Sequence, residues 1–138
     1  MTGEYRHNLD SKGRLFIPAR LRDELGAVLF VTVSMEPCLS VYSAASWQAF
    51  ADKCAAMPYV NQLRMRPLFS LAARCEVDSQ GRILLPQNLR AFASLTGETA
   101  IVGVNNHAEI WDLSRWQQVS AAEMTPENIA AVMQALEF

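Results

Sequence analysis

The sequence predicts an α+β fold assembled from two copies of one unit, and three observations carry that prediction. "DSKGRLFIPARLR" (10–22) and "DSQGRILLPQNLR" (78–90) agree at seven of thirteen positions, and three further pairs exchange one apolar residue for another. Each copy leads into a β-branched run, "VLFVTVS" (28–34) or "TAIVGVN" (99–105), which reads as a buried strand. Beyond each run, "LSVYSAASWQAF" (39–50) aligns with "AEIWDLSRWQQV" (108–119), placing Trp47 over Trp116. Self-similarity in a fixed order is the signature of a duplicated architecture. On this reading residues 1–56 form the first repeat, 57–69 a connecting helix and linker, and 70–138 the second repeat with a C-terminal helix. The two repeats pack as one unit.

Each half opens on an extended segment (about 3–9 and 71–77) and a turn, D-S-K-G or D-S-Q-G. Asp and Gly are favoured there because Asp caps backbone N–H groups two residues on and Gly tolerates positive φ. The turn is expected to close a β-hairpin whose return strand is "RLFI" or "RILL", both apolar and therefore buried. Pro18 and Pro86 follow, suited to the first turn of the short helices "ARLRDEL" and "QNLRAFASL". "CLSVY" and "AEIWD" pair with the β-branched runs across the turns "MEP" and "NNH". Ser43 and Asp112 are N-caps of the next helices, and Trp47, Phe50, Ala51 and Cys54 share one helical face. The joint "MPYVNQLRMRPLF" reads as a turn and a helix ending near Arg66-Pro67. The tail starts a helix at Thr125-Pro126, with Ile129, Val132, Met133 and Leu136 on one stripe.

Composition narrows the function. Hydrophobic residues make up 51% of the chain, enough for a packed core. No apolar run approaches the ~20 residues of a bilayer span, and the first ten residues are too polar for a signal peptide, so a cytoplasmic protein is expected. Cys38, Cys54 and Cys75 are widely spaced, which argues against a disulfide framework or a zinc site. Net charge is −2, but ten of the twelve Lys/Arg fall within residues 1–22 and 64–90, which hold the repeated motif. Cations collected on a duplicated motif in an acidic chain mark a binding face for a polyanion.

The residues that form this face follow from the turns. Asp10, Gly13, Asp78 and Gly81 shape them, while Lys12, Arg14, Gln80 and Arg82 occupy their tips and exits. A two-stranded ribbon fits the major groove of DNA, where a guanidinium bonds guanine O6 and N7 together. Arg20, Arg22 and Arg90, on the short helices, suit phosphate contacts. The bland alternative is that Asp10 and Asp78 merely brace Arg14 and Arg82, although exposed pairs of that kind contribute little.

These motifs resemble the D-x-x-G-R-x-x-x-P hairpin of the AbrB/SpoVT superfamily of swapped-hairpin DNA-binding proteins. Two copies in a chain of this size are similar to its MraZ family, as are "GEYRHNLDSKGRLFIP", "LSVY", "RMRPLFSLAARCEVDSQGRILLP" and "AEIWD". The resemblance covers essentially the whole chain. It implies a tandem swapped-hairpin β-barrel with flanking helices. It further implies a bacterial regulator, a repressor by expectation, at the promoter of the division and cell-wall gene cluster. Such a protein would bind G-rich direct repeats, assemble as a closed ring and associate with the nucleoid. The DNA-contacting arginine of the family maps onto Arg14 and, by repeat symmetry, onto Arg82. Gln80 stands where the first copy has Lys12, which weakens the second tip's claim to an equal share.

Other classes fare worse. His7 and His107 have no triad or metal-ligand neighbours, and "LTGETAIVG" lacks the lysine of a phosphate loop, so no enzyme, cofactor, metal or small-molecule substrate is expected. His107 reads as a turn residue, and Trp47, Trp111 and Trp116 read as core rather than as a stacking platform. The remaining alternative is an antitoxin-like protein-binding or oligomerisation module, with DNA binding secondary.

Overall fold

The computed structural model describes residues 1–137. The first repeat contributes β1 (Glu4–Asn8), β2 (Arg14–Phe16), α1 (Ala19–Leu25), β3 (Val28–Val33), β4 (Leu39–Ser43) and α2 (Ala44–Ala55). Two short helices, α3 (Tyr59–Arg64) and α4 (Arg66–Ser70), connect the halves. The second repeat supplies β5 (Ala73–Glu76), β6 (Arg82–Leu84), α5 (Gln87–Phe92), β7 (Glu98–Val104), β8 (His107–Asp112) and α6 (Leu113–Glu123). A last helix, α7, runs from Pro126 to Ala135. The fold is α+β, as the alternation of β-branched runs and capped helices requires.

Six strands form one antiparallel sheet in the order β1-β7-β8-β4-β3-β5. The order reads the same from either edge when the repeats are exchanged: β1 answers to β5, β7 to β3 and β8 to β4. β4 and β8 meet at the centre, with Leu39 opposite Ile110 and Val41 opposite Ala108. β2 and β6 form a separate two-stranded ribbon. The closed barrel expected from the sequence is therefore not found. β1 and β5 remain sheet edges instead of pairing with one another. The arms on either side of each Asp-Gly turn part company, β1 going to β7 and β2 to β6, and β5 going to β3 and β6 to β2.

Alternation along the strands builds two cores. Leu29, Val31, Ile101 and Ile110 face the ribbon, α1 and α5, and join Leu15, Ile17, Leu21, Ile83, Leu85 and Leu89 in the main core. On the opposite face Ala100, Val102 and Trp111 pack with Trp116 of α6 and with Cys38. Further along that face Phe30 stacks on Trp47 at 5.5 Å, beside Tyr42, Phe50 and Phe69. Thr32, buried beneath α4, donates its hydroxyl to the Leu68 carbonyl at 2.6 Å. Trp111 and Trp116 are core, as their spacing indicated, whereas Trp47 is only half-buried in its aromatic cluster.

The cap assignments hold at Ser43, which accepts from Ser46 N–H, at Asp112, which accepts from Arg115 N–H, and at Thr125, which accepts from Asn128 N–H. Pro18 and Pro86 sit one position earlier than expected, as N-caps. α3 ends at Arg64, close to the expected Arg66-Pro67, and Pro67 then lies in the first turn of a further helix, α4, where its missing N–H costs no bond. α5 stops at Phe92, short of the expected stretch, because Ser94 turns into the left-handed region (φ 53°). His107 begins β8 rather than lying in the turn, and stacks on Tyr42 at 5.4 Å.

Candidate nucleic-acid interface

The two turns have the same atomic construction. Asp10 N–H donates to Arg14 O and Gly13 N–H to Asp10 O, at 3.0 and 3.1 Å; Asp78, Arg82 and Gly81 repeat this at 2.8 and 3.0 Å. The Asp10 side chain closes the turn from inside. Its Oδ1 accepts from Lys12 N–H at 2.9 Å and Arg14 N–H at 2.8 Å, and its Oδ2 takes Arg14 Nε–H at 2.7 Å. Asp78 does the same for Gln80 N–H, Arg82 N–H and Arg82 Nε–H, at 2.9, 2.9 and 3.0 Å. These bonds, the Arg14 or Arg82 backbone N–H foremost, hold both carboxyls below the ordinary aspartate value despite some desolvation. Asp thus preorganises a turn and an arginine together.

The brace uses only Nε. Among the described residues, neither Arg14 nor Arg82 spends a terminal guanidinium nitrogen on a hydrogen bond within the chain. Their side chains are 33% and 27% exposed. Bracing and presentation are therefore compatible: the carboxylate sets the guanidinium's direction and leaves its outer edge open.

The ribbon joins the two turns into one surface. Leu15 opposes Ile83 and both point into the core, while Arg14 opposes Leu84 and Phe16 opposes Arg82 on the outer face. The arginines thus occupy one diagonal of a four-residue patch and Phe16 and Leu84 the other. Ladder bonds extend past the strands, Ile17 N–H donating to Gly81 O and Leu85 N–H to Gly13 O, both at 2.9 Å. Each turn is tied to the opposite repeat's return strand.

The remaining candidates divide in two. Lys12 and Gln80 at the turn tips, and Arg20 on α1, are exposed. Arg22 and Arg90 are half-buried and tethered, their Nε–H donating to Ile17 O at 2.7 Å and Leu85 O at 3.0 Å. Arg22 also lies 5.3 Å from the Phe16 ring centre, a cation–π distance. Segments 10–22 and 78–90 together hold six cations and two acids, a local excess of +4 on a chain of −2. The sequence reading missed Leu84, which is 60% exposed although it sits in an apolar run. Period-two alternation from Arg82 would have placed it outward. Among the described residues no group of His, Cys, Asp and Glu is arranged to hold a metal, and no helix is long and apolar enough to cross a membrane.

Comparison with known proteins agrees with this duplication. The family described as "MraZ protein, putative antitoxin-like" matches the chain twice, over residues 1–66 and 68–136. A protein of Carboxydothermus hydrogenoformans named Transcriptional regulator MraZ is 44% identical over 135 residues, covering 95% of this chain and 94% of its own. Its namesake in Desulforamulus reducens is 45% identical over 93% of each chain. The one in Pediococcus pentosaceus is 39% identical over 97% and 94%. The class that fold and site define is thus one of duplicated α+β proteins in which each half carries an arginine-bearing turn. The chain belongs to the MraZ family.

Proposed function

We propose that the chain is a sequence-specific double-stranded DNA-binding repressor that reads G-rich direct repeats through the β2–β6 ribbon. The observation that carries this reading is the outward pair of Arg14 and Arg82, each aimed by an aspartate through Nε with its terminal nitrogens open. Diagonal positions on an antiparallel pair lie about 7–8 Å apart, roughly two base-pair steps. Two guanidinium groups so spaced reach separate guanines in one major groove, each bidentate contact being worth about 1–3 kcal/mol. Lys12, Gln80 and Arg20 lie where flanking phosphates pass. Arg22 and Arg90 hold the turns in place and add positive potential. One ribbon reads only a few base pairs, so an assembly repeating the face along direct repeats raises affinity through effective concentration. In this reading repeats 1–56 and 70–138, joined through 57–69, act as one swapped-hairpin unit. The cross-repeat ladder at Gly13 and Gly81 supports that. The target is the promoter of the division and cell-wall gene cluster, and the setting is the cytoplasm at the nucleoid.

Fluorescence anisotropy with a duplex of G-rich repeats tests this. Log affinity should fall linearly with log salt, and Arg14→Ala should lower specific affinity roughly 10- to 100-fold with the fold intact. Equal binding to repeat and scrambled duplexes would overturn the reading.

A further inference from the structure

The ribbon carries an apolar side chain that the core does not use. Leu84 is 60% exposed and lies directly opposite Arg14, while its sequence neighbours Ile83 and Leu85 are buried. A lone exposed leucine is ordinary on a protein surface. The place of this one is not: it stands between two guanidinium groups, Arg14 across the ribbon and Arg82 two residues back on the same face of its own strand.

The first repeat fills the matching position differently. Phe16 aligns with Leu84 when Asp10 is set over Asp78. Its ring lies 4.9 Å from the His7 ring and 5.3 Å from the Arg22 guanidinium, and a Cβ on Gly81 would meet it at 2.9 Å. Phe16 is therefore half-buried and committed to packing. In the second repeat Cys75 takes the place of His7, and it is turned into the main core. Its Sγ donates to the Leu84 carbonyl at 3.6 Å, which holds the backbone from behind and leaves the leucine side chain outside. The ribbon thus offers a free apolar group at a fixed place, beside an arginine whose terminal nitrogens are open.

The major groove shows a matching apolar feature. Thymine projects its C5-methyl group there, among edges that otherwise present donors and acceptors, and a C5-methylated cytosine projects the same group. Directly opposed residues of an antiparallel pair have Cβ atoms about 5 Å apart, against about 3.4 Å per base-pair step. With Arg14 on a guanine, Leu84 lies over a base pair one or two steps away. Leucine is shorter than arginine, and a methyl group standing out from the base edge meets it.

We infer that Leu84 reads the C5-methyl group of a pyrimidine within two base pairs of the guanine that Arg14 bonds. The inference rests on the proposed DNA reading and refines it: the arginines select guanine, Leu84 selects a C5-methylated pyrimidine, and the two repeats contribute unequally to the ribbon's specificity.

Fluorescence anisotropy of the full chain tests it, on duplexes that share one G-rich direct repeat and differ only in the pyrimidines flanking the guanines on either strand. Thymine, uracil, cytosine and 5-methylcytosine are compared position by position. At the contacted position thymine should bind about fourfold tighter than uracil, and 5-methylcytosine tighter than cytosine by a similar factor, the worth of one buried methyl group. Leu84→Ala should bring both ratios close to one, with uracil-duplex binding and circular dichroism unchanged. Leu84→Gln, polar and of similar reach, should do the same, and replaces Leu84→Ala if that variant loses its circular dichroism. Equal binding of thymine and uracil by the parent at every flanking position would overturn the inference. So would a ratio that survives both variants, which belongs to the DNA and not to the leucine, or an equal loss of affinity on all four duplexes. The DNA reading is judged separately. A parent protein that prefers the repeat over a scrambled duplex but ignores the methyl group keeps that reading and loses this inference, and one without the preference loses both.

Discussion

Gly13 of the first repeat lies against the guanidinium of Arg90 in the second: a Cβ built on Gly13 would stand 2.8 Å from Arg90 Cζ. Gly81 bears the same relation to Arg22, at 3.0 Å, with Phe16 at 2.9 Å. Both glycines also carry positive φ, 83° and 79°. The glycine thus serves the turn and the seat of the opposite arginine together, which joins local conformation to cross-repeat packing. Gly13→Ala should lose about 1–2 kcal/mol from the left-handed backbone alone and more from displacing Arg90. Urea unfolding of Gly13→Ala, Arg90→Ala and the double variant checks this. Removing Arg90 should recover part of the alanine's cost, and strict additivity would mean the two residues do not interact.

Arg14 and Arg82 are held by Nε and face outward, so their loss should separate recognition from stability. Arg14→Ala and Arg82→Ala are expected to keep thermal midpoints close to the parent while weakening repeat DNA roughly 10- to 100-fold each. Arg14→Lys should not rescue Arg14→Ala, because an ammonium cannot bond the aspartate and two guanine acceptors in one plane. Anisotropy alongside differential scanning calorimetry decides the matter. A variant that loses its fold along with its DNA would show that the pair is structural.

The two tips differ by Lys12 against Gln80, and the salt dependence of binding should report that difference. Lys12→Gln should reduce the slope of log affinity against log salt by about one, and Gln80→Lys should steepen it by about one. Neither exchange should alter the preference for one repeat sequence over another, since a phosphate contact carries no base information. Slopes measured on matched and scrambled duplexes separate the two effects.

What the sequence revealed were features with local causes. Ser43, Asp112 and Thr125 cap because their oxygens reach an N–H two or three residues on, a relation contained in four letters of sequence. The Asp10 and Asp78 turns were legible for the same reason, as was the arginine that follows each. The pairing of the arms was not. That β1 goes to β7 and β2 to β6, rather than to each other, is decided by partners 90 to 98 residues away for β1 and 66 to 70 for β2. An apolar strand looks alike in a hairpin, a barrel or an open sheet. The helix end before Pro67 was legible but the restart was not, because proline marks a helix start as readily as an end and only the chain direction after Met65 shows that α4 begins there. Leu84 was misplaced because a three-residue strand offers too few positions for alternation to stand out from an apolar run.

Acid should loosen the turns in a predictable direction. Asp10 and Asp78 have folded-state values below the ordinary 3.8, chiefly through the backbone N–H groups of Arg14 and Arg82. A carboxyl lowered on folding contributes stability that is complete above its unfolded value and is lost as pH falls through the folded one. From pH 7 to about 5 these groups should leave the urea midpoint unchanged, and below about pH 4 they should lower it. The Asp10→Asn/Asp78→Asn variant keeps an oxygen for the turn N–H groups but cannot ionise. Its midpoint should be lower near neutrality and fall less steeply in acid. Parallel curves for parent and variant would show that the carboxylates do not stabilise the fold by their charge.

The cysteines test the two cores independently of any ligand, Cys75 the main one and Cys38 the one under α6. Cys38 and Cys75 are buried and reduced. Burial, with Glu109 adding repulsion, pushes the Cys38 thiol up to about 12, and burial alone pushes Cys75 up to about 11, against an ordinary 9.0. Because the thiolate is the nucleophile, three units cut its population roughly a thousandfold and two units roughly a hundredfold at a given pH. Iodoacetamide at pH 8 should therefore leave Cys38 and Cys75 unmodified in the folded protein and alkylate both in urea, as read by intact mass. Cys38 sits with Trp111 and Trp116 where α6 covers the sheet. Alkylation of Cys38 that outpaces global unfolding would mean that α6 lifts from the sheet on its own, and would identify it as the separately opening element of the fold.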